Sequence, residues 1–169
     1  MSTSRTWFIV AMVVVPWLHL GPLAGSTYAL EESTPQLTLT ATKMRTQDNT
    51  LGLTTTPVSA FSPSKLGCPA TSGTCTIRVE VSSQFDDGAG TATIAQMQVL
   101  IDGSATGVLP DDLVNVDPVN ATAFQSVRTF VWMKKGLAPG SHTVTVNFLV
   151  TAGSASAGLR TLTTQMFTP

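Results

Sequence analysis

The residues able to do chemistry in this chain are few and widely spread. Its two cysteines are Cys68 and Cys75, and they bracket the turn-rich segment Pro69-Ala70-Thr71-Ser72-Gly73-Thr74. An even pair in an oxidising compartment predicts a disulfide, a staple across a loop that leads into a strand. Closing so short a loop stabilises the fold by roughly 2–3 kcal/mol, through restriction of the unfolded chain. A zinc pair would need four ligands, and no further Cys or His lies nearby. A redox pair would be spaced C-x-x-C, closer than these two stand.

His142 is the single histidine after residue 29. It opens a strand-like segment just after a turn, on the side of Val144 and Val146. A catalytic histidine needs a partner that orients its ring, so the expectation is a boundary histidine with a local hydrogen bond. Serines are abundant, but none stands in a G-x-S-x-G frame. Asp86, Asp87, Asp111 and Asp112 fall in turn-rich loops, with Asp102 and Asp117 in turns nearby. Loop carboxylates with backbone carbonyls are calcium ligands, which makes these four a candidate calcium site. Their spacing matches no calcium loop, and solvated aspartates in Asx-turns are the ordinary account of them. A hydrolase built on Asp86, Asp87, Asp102 or His142 would require those groups to converge in one cleft.

Trp132 and Phe130 are the aromatic candidates for ligand binding. Alternation places both on one face of a strand, opposite Val131 and Met133. An exposed pair would suit a sugar ring or a protein partner; packing under a loop or against another sheet is the ordinary outcome. Asn120-Ala121-Thr122 matches a glycosylation sequon.

Positioning such residues falls to strands. Leu37, Leu39 and Ala41 alternate with threonines from Gln36 onward, which predicts a half-buried strand. Leu51 to Ala60 is a shorter candidate, weakened by Pro57, and Phe61 to Gly67 is expected to be loop because of Pro63 and Gly67. Cys75, Ile77, Val79 and Val81 alternate with Thr76, Arg78, Glu80 and Ser82. Ala92 to Ile101 follows, then Asp102-Gly103, a hairpin signal, with Val108-Leu109 as a short return strand. Pro110 to Ala123 is expected to be a long connection. Phe124 to Met133 carries apolar residues on both faces, which suggests a central strand or a partly covered outer face. Lys134 to Ser141 forms the next connection, Val144 to Val150 alternates again, and Leu159 to Phe167 closes the chain. About seven or eight strands with no apolar period of 3.6 residues predict a single antiparallel β-sandwich, immunoglobulin-like or jelly-roll.

The first 29 residues have the layout of a secretory signal: Arg5, the apolar run Trp7 to Val15, breakers at Pro16 and Gly21-Pro22, and Thr27-Tyr28-Ala29 as a cleavage site. The apolar run is too short for a membrane span of about 20 residues. Residues 30–35 are then a flexible start and 36–169 the sandwich domain. Loss of Arg5 would leave eight basic and ten acidic residues in the exported chain. That balance argues against nucleic acid, which demands a basic footprint, and against anionic membrane surfaces.

Val99-Leu100-Ile101-Asp102-Gly103, Phe130-Val131-Trp132, Gly140-Ser141-His142-Thr143-Val144 and Arg160-Thr161-Leu162 together resemble bacterial exported β-sandwich modules of unknown activity. A looser likeness is to jelly-roll domains of the C1q type. The resemblance covers the second half of the chain and implies a fold rather than a chemistry; from C1q-like domains it also implies self-association as a homo-oligomer. The expectation is therefore a secreted, extracellular or periplasmic protein that is no enzyme, needs no cofactor unless calcium, and binds protein or glycan at the cell surface or serves a structural role. A carbohydrate-binding module or lectin, calcium-assisted or not, is the first alternative, and a secreted hydrolase the second.

Overall fold

Strand alternation is cleanest where Ile77, Val79, Val81, Ser83 and Phe85 are buried and Arg78, Glu80, Ser82, Gln84 and Asp86 are only partly so. This strand, with nine others, appears in a computed structural model that describes residues 36–86, 93–110, 113–119 and 125–169. The strands are β1 (Thr38–Gln47), β2 (Leu51–Leu53), β3 (Val58–Ser59), β4 (Ser64–Cys68), β5 (Cys75–Asp86), β6 (Thr93–Ile101), β7 (Val114–Val119), β8 (Gln125–Leu137), β9 (Gly140–Val150) and β10 (Ala155–Thr168). The secretory signal, the segment 30–35 and the sequon at Asn120 lie outside the described residues.

The strands form two antiparallel sheets. One has the order β1-β10-β5-β8, with β2 also on β10; the other has β3-β9-β6-β7, with β4 also on β9. The long-strand pairing is nested: β1 with β10, β4 with β9, β5 with β8 and β6 with β7. A chain folded once into a long hairpin and then rolled has this pairing, which is the jelly-roll form of the β-sandwich. Of the two sandwich types the sequence allowed, this is the one adopted.

The sheets meet over side chains from alternate positions. Phe85 of β5 and Phe148 of β9 span the interface with ring centroids 5.4 Å apart. Ser64 of β4 and Thr164 of β10 are both buried and share a hydrogen bond of 3.2 Å between their hydroxyls. Each satisfies the other, as buried polar groups must. Cys68 at the end of β4 and Cys75 at the start of β5 form the expected disulfide, with Cα atoms 5.9 Å apart. It ties one sheet to the other across the turn at Gly73, whose φ of +67° suits glycine.

Several expectations need correction. β1 is an outer strand paired only with β10, and Leu37 and Leu39 are exposed rather than half-buried. The stretch Phe61 to Gly67 is not all loop. Ser64, Leu66 and Cys68 point inward and Lys65 and Gly67 outward, and β4 pairs with β9 on one side only. The long connection 110–123 contains β7, which likewise lies at a sheet edge beside β6 and so tolerates Pro118. β8 is an edge strand and not a central one, and it runs on through Lys134-Lys135-Gly136 to Leu137. Val108-Leu109 does not return along β6: Leu109 bridges to Met133 of β8 instead.

Candidate functional site

Two polar clusters stand out among the described residues. The first is built on Arg160. β10 carries a bulge between Ala157 and Arg160 in its pairing with β5. The bulge changes which parity faces inward: Ala157 is buried before it, and Arg160, Leu162, Thr164 and Met166 after it. A guanidinium is thereby carried into the sandwich, where Arg160 is 2% exposed.

All five of its N–H donors are used. Nε donates to Ala60 O at 2.9 Å; Nη1 donates to Asn49 O at 2.6 Å and Gly158 O at 3.0 Å; Nη2 donates to Gln47 Oε1 at 2.7 Å and Asn49 Oδ1 at 3.1 Å. The Phe61 ring lies 5.9 Å from the guanidinium carbon, within cation–π range. Every acceptor is neutral, and no carboxylate pairs with Arg160 among the described residues. Burial therefore draws its pKa below the ordinary arginine value.

Above Arg160 opens a recess of about 400 Å³, lined by the β1–β2 connection (Gln47, Asn49, Leu51) and the β3–β4 connection (Ser59 to Pro63). A guanidinium can only donate, so the carboxamide oxygens of Gln47 and Asn49 must face it. Their NH2 groups are left as donors that Arg160 does not use. The volume lies in the range of small-ligand sites. Before the structure Arg160 entered only through the resemblance and with no role, since only the bulge sets its inward parity.

The second cluster joins His142 and Asp102. Asp102 and Gly103 have φ of +56° and +78°, and Ile101 and Ser104 exchange hydrogen bonds of 2.9 and 3.2 Å around them. This is the tight hairpin turn that Asp-Gly favours. His142 Nδ1 lies 2.7 Å from Asp102 Oδ2, and Nε2 lies 2.8 Å from Ala138 O. Thr143 N donates to Asp102 Oδ1 at 2.8 Å. Burial works against charge on His142, but bonding to Asp102 and Ala138 O outweighs it and raises the pKa. Burial also opposes charge on Asp102, and the bonds from His142 and Thr143 prevail to lower its pKa. Both ring nitrogens face acceptors, so the protonated ring is the form that satisfies both. The geometry makes a local fastening of two turns and leaves no ring nitrogen directed at a substrate.

Trp132 is 1% exposed and Phe130 packs against the core, with ring centroids 6.0 Å apart. Their shared face is the inner one, so the indole forms no exposed platform; its N–H has no hydrogen-bond partner among the described residues. Asp86 ends β5, paired with Gln125 of β8 and Ser156 of β10. Asp87, Asp111 and Asp112 lie outside the described residues. Among those described, no group of three or more His, Cys, Asp and Glu side chains is placed to hold a metal ion. Among the described residues no helix is long and apolar enough to cross a membrane. No protein-family model, curated protein or solved structure matches the chain.

Proposed function

We propose that this is an exported jelly-roll protein with a non-catalytic binding role, and that its ligand enters the recess beside Arg160. The recess carries the reading. It combines a desolvated cation with two oriented carboxamides and the Ser62 hydroxyl, on connections tied together by the Arg160 bonds to Asn49 O and Ala60 O and by the Ser59 Oγ bond to Phe61 O. Such a set recognises an acceptor-rich small ligand, of which a sugar residue of a surface glycan is the natural case. The Cys68–Cys75 disulfide supports export, since such bonds persist in oxidising compartments. Thermal unfolding of the oxidised protein against a panel of glycans, with and without calcium, tests the reading. A ligand of the folded state raises the melting temperature by mass action. A rise with glycan supports the reading, and no rise across the panel removes it.

A second reading is favoured by one feature. Met44, Thr163, Glu80 and Val131 lie side by side across the outer face of the β1-β10-β5-β8 sheet, with Val127 further along β8. Met44, Val127 and Val131 are 73%, 65% and 41% exposed. An outer face of threonines and exposed apolar side chains about the Arg78–Glu80 ion pair suits contact between copies of this chain, as the C1q-like resemblance implies. Light scattering on the same samples tests it. A defined oligomer supports self-association, and a monomer at all concentrations removes it.

A further inference from the structure

Resting on the assignment of the recess as the binding site, we infer that its ligand carries a carboxylate, as an acidic sugar does. The charges around the recess carry this step. Arg160 lies beneath it with five neutral acceptors and no acid. Having no donor left, Arg160 acts by its field and by aiming the two carboxamides. A second guanidinium stands at the rim: Arg45 is exposed, and its Nη2 lies 3.5 Å from the carbonyl oxygen of Pro63, one of the lining residues. Pro63 O faces only one of its terminal nitrogens, and the planar fork of a guanidinium is the partner that matches a carboxylate. No acidic side chain lines the recess. Asp48, which lies between Gln47 and Asn49 in sequence, is exposed and is not part of the lining. A positive floor, a cationic rim and carboxamide N–H donors favour an anionic acceptor over a neutral one.

The test uses the full oxidised protein, with glucuronate and glucose as probes, in calorimetric titrations and parallel backbone amide NMR titrations at one ionic strength. Glucuronate is expected to bind about tenfold more tightly than glucose, the scale of one charge-assisted hydrogen bond gained. Two variants locate the effect. Arg45→Gln, at an exposed position, is expected to cut glucuronate affinity several-fold and leave glucose little changed. Gln47→Glu places a carboxylate where Gln47 Oε1 now meets Arg160. It is expected to raise the melting temperature of the free protein and to reduce glucuronate affinity at least tenfold. Glucose binding as tightly as glucuronate, with the recess amides perturbed, overturns the carboxylate assignment while the site stands. Glucuronate affinity unmoved by both variants also overturns it. Binding of neither sugar, with no perturbation at the recess, removes the site and the assignment together.

Discussion

Asp102 Oδ2 lies 2.7 Å from His142 Nδ1, and the second oxygen of the same carboxylate accepts the Thr143 N–H at 2.8 Å. One side chain thus fastens the tight turn after β6 to the start of β9, while His142 Nε2 reaches Ala138 O in the turn after β8. Beside Asp102, the charged groups on the surrounding strands are Lys65 of β4 and Arg128, Lys134 and Lys135 of β8; β9 contributes none besides His142. Of the lysines, Lys134 acts on the ring, opposing its charge.

The pair makes stability depend on pH with a definite sign. The folded pKa of His142 is raised. Its contribution is full below about pH 6.5, the unfolded value, and is lost as pH rises through the folded pKa. That of Asp102 is lowered, so its contribution is full above about pH 3.9 and is lost as pH falls through the folded pKa. The pair therefore stabilises most between about pH 4 and 6.5. Asp102→Asn, which tolerates the positive φ, is expected to cost about 1 kcal/mol there after allowance for the exposure of Asp102. Denaturant unfolding across pH checks this: the deficit shrinks at alkaline pH, and a deficit independent of pH contradicts the account.

Replacing Cys68 and Cys75 by serine is expected to lower stability by about 2–3 kcal/mol, through the freed chain of the unfolded state. Equilibrium unfolding of the variant beside the oxidised parent measures it. Mass spectrometry of the parent without reductant should show no free thiol.

Ser64 and Thr164 offer a test of buried polarity. Ser64→Ala alone leaves the Thr164 hydroxyl with only its 3.5 Å bond to Lys43 O and is expected to cost about 1 kcal/mol. Adding Thr164→Val removes the weakened hydroxyl and is expected to return part of that loss. A double-mutant cycle from unfolding curves reads the coupling; additive losses contradict the pairing.

Phe148→Ala opens a cavity opposite Phe85 between the sheets and is expected to cost about 3–5 kcal/mol. Phe148→Leu should cost markedly less. Similar losses for the two would contradict close packing at this contact.

The strands in the middle of each sheet were legible in the sequence because burial on one face imposes strict alternation. Ile77, Val79 and Val81 in β5 and Val144, Val146 and Phe148 in β9 show it, and the Asp102-Gly103 turn announced itself by residue type. Edge strands were not. β4 and β7 contain Gly67 and Pro118, which read as breakers, yet an edge strand needs ladder bonds on one side only. β8 misled in the other direction. Phe130 and Trp132 do face the core, but Val127 and Val131 are exposed apolar residues on an edge strand. His142 was recognised as a boundary residue, whereas its partner Asp102 lies 40 positions away and only the meeting of β6 and β9 brings them together. Arg160 was invisible as a site residue. Its inward position comes from a bulge, and four of its five acceptors come from Gln47, Asn49 and Ala60, some 100 or more positions earlier.

The central claim is that ligand enters the recess over Arg160. Backbone amide NMR of the oxidised protein during titration with an acidic glycan tests it most directly. The account predicts shifts confined to Gln47, Asn49, Phe61, Ser62 and Arg160, with the outer face of the β1-β10-β5-β8 sheet undisturbed. Shifts centred on Met44, Val127 and Val131 with Asn49 and Arg160 unmoved, or no shifts at all, would contradict it.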